Sequence, residues 1–300
     1  MSVTILGYLC RDRNTLPGGQ TTETVGGKGL YLAAAMARCG LDTHLITWLP
    51  EVDRVLLSAL NDYPVDCQVI PVPTGTANTN VHRGDRTLAT TQVDPDALRP
   101  SDFTPAMVTT LESSHLVMVA PDLESKIALA TLSWISGQLG VSLTADIGKY
   151  LRTISPRGQL RPRWPWPEEA QWLAQFDRIF LSQEDLEPAL ASGESLLSAA
   201  RRFAEFGPSE VIITLGSRGA FIYDHPTNEA FEVPAYPAAT IVDPTGAGDT
   251  FAGAYLAERL ATDSPVQAGR FAAVAASLKL AYPGPLRELG EVIQRLVNEQ

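Results

Sequence analysis

The sequence predicts an α/β protein: a doubly wound, mostly parallel sheet with helices on both faces. Short β-branched or apolar runs alternate with helix-length patterns along most of the chain, which is how successive strand–helix–strand units read. Several of the runs are almost continuously apolar, as strands covered on both faces must be. With 300 residues, 45% of them hydrophobic, the chain has ample core, and residues 1–300 are read as one domain.

Strands are expected at 3–9, 43–48, 115–120, 142–146, 178–181, 210–215 and 221–223. Helices are expected at 28–38, 126–139, 196–206 and 250–260, with Gly40 and Gly140 as stops after the first two. Two polar segments interrupt the alternation. Residues 12–25 are rich in Gly and Thr, and 76–93 read as a hairpin turning at Gly84-Asp85. Residues 155–167 hold four prolines with Trp164 and Trp166, and read as an irregular surface loop whose rings pack onto the body.

The richest stretch runs from Asp243 to Phe251, Asp-Pro-Thr-Gly-Ala-Gly-Asp-Thr-Phe. Gly246, Ala247 and Gly248 leave bare backbone where a helix begins. The first N–H groups of a helix lack internal partners and carry the positive end of its dipole, so the place suits an anion, phosphate above all. Asp249 follows in the first turn, a proton acceptor beside an anion cradle. That pairing is what activating a hydroxyl for phosphoryl transfer requires. Without context the same residues make an ordinary helix entry.

This stretch closely resembles the C-terminal signature of the ribokinase-like (PfkB) carbohydrate kinase family. Gly26-Gly27-Lys28-Gly29 resembles the family's first signature, and Thr214-Leu215-Gly216-Ser217-Arg218-Gly219-Ala220 its nucleotide-side loop. The resemblance implies a ribokinase-like fold in which 12–25 and 76–93 supply a small β lid. Only about sixteen residues lie between the first strand and Gly26, so a reduced lid is expected. It further implies an ATP- and Mg²⁺-dependent kinase acting on a small sugar or cyclitol, with Asp249 as general base and Gly246, Ala247 and Gly248 as anion hole. Ser182, Thr214, Gly216 and Gly219 would lie beside ATP and Asp243 near its phosphates or a cation, with 280–285 closing the adenine side. Asp12, Gly26, Gly27, Tyr31 and Asp146 would face the substrate, and Asp185 the metal.

Departures from the family pattern concern the substrate and the metal. Tyr31 stands where the family carries a sugar-binding Asn. Ser182-Gln183-Glu184-Asp185 replaces an Asn-x-x-Glu motif, leaving Ser182 and Asp185 as shorter stand-ins. Residues 146–152 resemble the Asp-x-Gln-Gly-x-x-Arg stretch of inositol-kinase-like relatives, with Gly148 and Lys149 in place of Gln and Gly. A nucleoside kinase of the same family is the nearest alternative, and a degenerate nucleotide- or sugar-binding regulator the next.

Other classes fail on spacing or charge. Thr22 occupies the first glycine position of a P-loop, and Gly7 stands alone after the first strand, without a dinucleotide fingerprint. A net charge of −11 argues against a nucleic-acid partner. Cys10, Cys39 and Cys67 are odd in number and scattered, giving neither disulfide framework nor zinc spacing. No apolar run reaches the ~18 residues of a membrane span. A cytoplasmic monomer or homodimer is expected.

Overall fold

The computed structural model describes residues 1–15, 20–83, 86–94, 96–123 and 126–299, and side chains for these outside 80–89. Nine strands form one sheet, in the order Glu229–Val233, Ala220–Asp224, Glu210–Thr214, Arg178–Ser182, Leu143–Asp146, Leu116–Ala120, Ser2–Gly7, Asp42–Leu49 and Val65–Pro71. From Glu210–Thr214 across to Val65–Pro71 all neighbours are parallel. The last two strands at the other edge are antiparallel.

Alternation along each strand feeds two cores. Val3, Ile5, Leu45 and Ile212 enter one, while Leu6, Ile46 and Ile213 enter the other, all at most 1% exposed. Each such side chain contributes roughly 1.5–3 kcal/mol by leaving water. The first core is closed by the helices Lys28–Arg38, Ala247–Ala261 and Pro265–Lys279. The second is closed by Pro105–Glu112, Glu169–Leu173 and Leu196–Ala204.

Lys28–Arg38 is buried from Gly29 through Ala37, as a helix apolar all round must be. It packs on Ala247–Ala261, where a Cβ on Gly253 would come 2.9 Å from Ala35 Cβ and 3.1 Å from the Leu32 carbonyl. That glycine lets the two site-bearing helices close on each other.

A second sheet has the order Thr21–Gly26, Cys10–Thr15, Thr76–Arg83, Arg86–Gln92. The small lid therefore has four strands, and the short first segment forms a complete antiparallel pair beginning at Cys10. Cys10–Thr15 runs parallel to Thr76–Arg83, and Arg83 stands opposite Arg86. The turn expected at Gly84-Asp85 lies outside the described residues. Arg11 ties the lid to the body, its Nε 2.7 Å and Nη2 2.6 Å from Asp53 Oδ1.

Residues 155–167 are more regular than expected. Arg152–Ile154 pairs with Leu160–Pro162 in a hairpin, its strands too short to show alternation in sequence. Trp166 is buried with its ring 6.2 Å from Tyr150, and Arg202 covers Trp164. The segment expected as helix 126–139 is α-helical only over Leu129–Ser133, followed by a π-helical turn at Trp134–Gln138. Strands Val65–Pro71 and Glu229–Val233 and helices Pro265–Lys279 and Gly290–Asn298 were not expected. Pro265–Lys279 carries Gly269 mid-helix, a poor helix former. A Cβ there would come within 2.8 Å of Val233 and Ile222, so tertiary packing outweighs propensity. Among the described residues no helix is long and apolar enough to cross a membrane.

Candidate active site

The C-terminal ends of the parallel strands bring Tyr8, Asp146, Ser182 and Thr214 to one rim, beneath lid residues Asp12, Asn78 and Thr91. Between rim and lid lies a cavity of about 440 Å³. Open α/β sheets hold their ligands at this end of the strands.

One wall is the turn into Ala247–Ala261. Thr245 N–H donates to Asp243 Oδ1 at 2.9 Å, and Val242 and Asp243 N–H donate to the Leu280 carbonyl at 2.7 and 3.2 Å. Gly246 then takes φ 76°, and a Cβ there would strike the ring of Tyr31, so glycine is required on both counts. Ala247 N–H turns back to the Pro244 carbonyl at 3.2 Å. Among the described residues, the N–H groups of Gly246, Gly248 and Asp249 have no hydrogen-bond partner. Gly248 has open space where a Cβ would stand.

Lys28 links this turn to the sheet. Its ammonium lies 2.7 Å from Asp146 Oδ2 and 2.9 Å from Asp249 Oδ1. Gly27, at φ 103°, and Gly29, whose N–H donates 2.9 Å to the Tyr8 carbonyl, seat the helix start on the end of the first strand. Burial alone would lower the Lys28 pKa, but the two carboxylates outweigh it and raise it. Burial raises the Asp146 carboxyl, opposed by Lys28 and reinforced by Asp249 and Asp185. Lys28 therefore stays cationic between its two acids.

Asp185 is fully engaged. Arg152 donates to its Oδ1 from Nε at 2.7 Å and from Nη2 at 2.6 Å, while Ser182 donates to Oδ2 from N–H at 2.9 Å and from its hydroxyl at 2.7 Å. Among the described residues no three His, Cys, Asp or Glu side chains cluster as a metal site. On the lid side, Asp12 Oδ1 accepts from Asn78 at 2.8 Å and from the Cys10 thiol at 3.2 Å. Lys149 lines the cavity, and its ammonium has no hydrogen bond or ion pair among the described residues. Burial, then Lys28 and Arg152, hold its pKa below that of an ordinary lysine.

Of the residues nominated by sequence, the cavity gathers Asp249, Gly246, Ala247, Gly248, Ser182, Thr214, Asp12, Gly27, Tyr31, Asp146 and Asp185. Gly26, Gly216, Gly219 and Asp243 stand outside its wall. Gly26 makes room for the Asp12 carboxylate, and Gly219, at φ 97°, for the backbone of Val233–Ala235. Asp243 turns its carboxylate to Thr245 and Lys279. Sequence reasoning missed Lys28, Asn78, Thr91 and Lys149 as cavity residues. For Lys28 a signal existed, since it directly follows the paired glycines at a helix start.

The family description "pfkB family carbohydrate kinase" matches residues 4–289. The cytidine kinase of Thermococcus kodakarensis is 24% identical over 272 residues, 86% of this chain and 88% of its own length. Among solved structures, a pyrophosphate-dependent kinase in the ribokinase family, complexed with a pyrophosphate analogue and myo-inositol, superposes with a TM-score of 0.82. It is 22% identical and the match covers 98% of this chain and 99% of that one. Ribokinase of Arabidopsis thaliana, complexed with ribose and ATP, gives 0.75 at 19% identity, covering 99% and 98%. At these identities the solved structures establish the fold.

Proposed function

This chain belongs to the pfkB family of carbohydrate kinases, and from that premise we propose that it transfers a phosphoryl group from ATP to a hydroxyl of a small sugar or cyclitol. One observation carries the reading. The Asp249 carboxylate stands in the cavity at the head of a helix, beside the N–H groups of Gly246 and Gly248, which have no partner among the described residues. Those donors and the helix dipole suit the charge that develops on a transferring phosphoryl group. Asp249 accepts the hydroxyl proton as the acceptor oxygen attacks phosphorus, and the bridging P–O bond breaks toward the donor's leaving phosphate. Lys28 fixes Asp249 and Asp146 in place, while Asp12 and Asn78 on the lid supply an acceptor and a donor for other hydroxyls.

For the donor's base, exposed Ile241 and Val242 offer apolar surface leading into the anion turn, and Val242 is bonded to Leu280 in the segment expected to close the adenine side. Asp185 is committed to Arg152 and Ser182, so Mg²⁺ in this reading enters with the phosphate oxygens of the donor.

One observation favours a second acceptor class. Among the described residues the Lys149 ammonium lines the cavity unpaired, while Lys28 and Arg152 are matched by carboxylates, which suits a polyol bearing a carboxylate or phosphate. A coupled assay with ATP and with pyrophosphate, over neutral sugars, cyclitols, acidic sugars and nucleosides, tests these readings together. Turnover on neutral polyols with ATP supports the first, and Lys149-dependent turnover on acidic polyols the second. Preference for nucleosides, as the name of the Thermococcus relative suggests, replaces both. Binding of nucleotide with no turnover on any acceptor makes the chain a regulator.

A further inference from the structure

Lys279 is the last residue of the Pro265–Lys279 helix and its side chain is fully buried. Fully buried lysines are rare and need a reason, because removing an ammonium from water is costly unless oxygens replace the lost solvent. Here they do. Lys279 Nζ donates 2.6 Å to the Asp243 carbonyl, lies 3.4 Å from Asp243 Oδ2, and stands 5.8 Å from the centre of the Tyr31 ring. The next carbonyl of the same helix end, Leu280, accepts from Val242 and Asp243 N–H. The ammonium and this carbonyl thus grip both polar sides of one residue, and that residue begins the turn into the anion hole. The Tyr31 ring fills the space between Lys279 and Gly246. The lysine touches neither the cavity nor any atom that reacts.

A backbone carbonyl and a carboxylate converging beside an aromatic face are oxygen and π donors of the kind that hold a dissolved monovalent cation. We infer that Lys279 is a built-in cation: its ammonium occupies this place permanently and holds the 242–248 turn in its anion-binding shape without a dissolved ion. Lys279 is therefore a positioning residue for the anion hole. It acts through Asp243 and Tyr31, and it sets the phosphotransferase apart from any design in which a free ion orders the same turn. The kinetic arm of the test rests on the phosphotransferase reading; the exchange arm rests on the turn alone.

The experiment compares the wild type with Lys279→Met, which keeps the length of the side chain and removes its charge. Amide hydrogen exchange over 242–248 is followed in potassium, ammonium and tetramethylammonium chloride at fixed ionic strength. The wild type is expected to show the same protection in all three salts. Lys279→Met is expected to lose at least about tenfold protection in tetramethylammonium, confined to this turn and largely restored by ammonium or methylammonium. In turnover, the variant is expected to fall about 10²-fold in kcat, the scale of losing one anion-hole donor, with saturable rescue by the same small cations. Wild-type protection or turnover rising severalfold in potassium over tetramethylammonium overturns the inference. So does a folded Lys279→Met variant whose turn is as protected as the parent's. Should that variant not fold, the wild-type salt response decides alone, and absence of turnover on every acceptor leaves the exchange result standing by itself.

Discussion

Replacing Asp249 by Asn separates its chemistry from its place in the fold. Asn keeps the shape and an oxygen able to accept from Lys28, whose Nζ lies 2.9 Å from Asp249 Oδ1, but it cannot take a proton. Lys28 keeps its other carboxylate, Asp146, at 2.7 Å, so its buried charge is not abandoned. Turning the ion pair into an ammonium–amide hydrogen bond costs about 1 kcal/mol. Losing a negative charge from the first turn of Ala247–Ala261 costs about 0.3–1 kcal/mol more. The sum, under roughly 2 kcal/mol, lowers Tm by a few degrees. Removing a general base typically costs on the order of 10²–10⁴ in rate, so kcat should fall by that factor. Donor affinity should hold, because the Gly246 and Gly248 N–H groups are untouched. The measurements are kcat by coupled assay, donor binding by calorimetry and Tm, all on one preparation of Asp249→Asn. A kcat within tenfold of the parent refutes the base assignment. Loss of folding makes the residue a helix-start element instead.

Lys28→Met should leave Asp146 and Asp249 without their shared cation, destabilising the fold by about 3–5 kcal/mol and moving the acid limb of the kcat–pH profile upward; an unmoved limb argues against coupling. Tyr31→Phe should change activity by about 1 kcal/mol or less, since the hydroxyl has no hydrogen-bond partner among the described residues. Tyr31→Ala should cost about 3–5 kcal/mol of stability and reorder acceptor preference, because its ring supports Gly246; equal effects of the two variants would contradict a ring-based role. Burial alone would raise the Asp243 carboxyl, but the Thr245 hydrogen bonds and Lys279 hold it below the ordinary carboxylate value. A depressed carboxyl adds stability above its unfolded pKa, about 3.9, and loses it as pH falls through the folded value. Tm should therefore drop below pH ~4 more steeply in the wild type than in Asp243→Asn.

Local pattern made the central sheet legible. Residues 3–9, 43–48 and 210–215 are apolar runs long enough to show their period, and the structure keeps each within a residue or two of the expected ends. What escaped lacked local signal. Val65–Pro71 is an edge strand with polar residues on one face, and the hairpin strands Arg152–Ile154 and Leu160–Pro162 are three residues each. Pro265–Lys279 has a glycine in its middle that only the Ala220–Asp224 and Glu229–Val233 strands explain.

The same limit divides the site. Gly246, Gly248 and Asp249 are neighbours in sequence, so their arrangement at a helix start could be read directly. Lys28 meets Asp249 from 221 positions away and Asp146 from 118, and Lys279 meets Asp243 from 36. The paired glycines mark Lys28 as standing at a helix start, but nothing local marks either lysine as buried against carboxylates or beneath the glycine turn; only closure of the sheet and its two helix layers puts them there. The glycine turn and its carboxylate therefore belong to a short motif, while the charged groups packed against them belong to the fold. A chain that keeps Gly-Ala-Gly-Asp but changes Lys28 or Lys279 is expected to lose the site, so substitutions at these two lysines test whether the fold, and not the motif alone, assembles it.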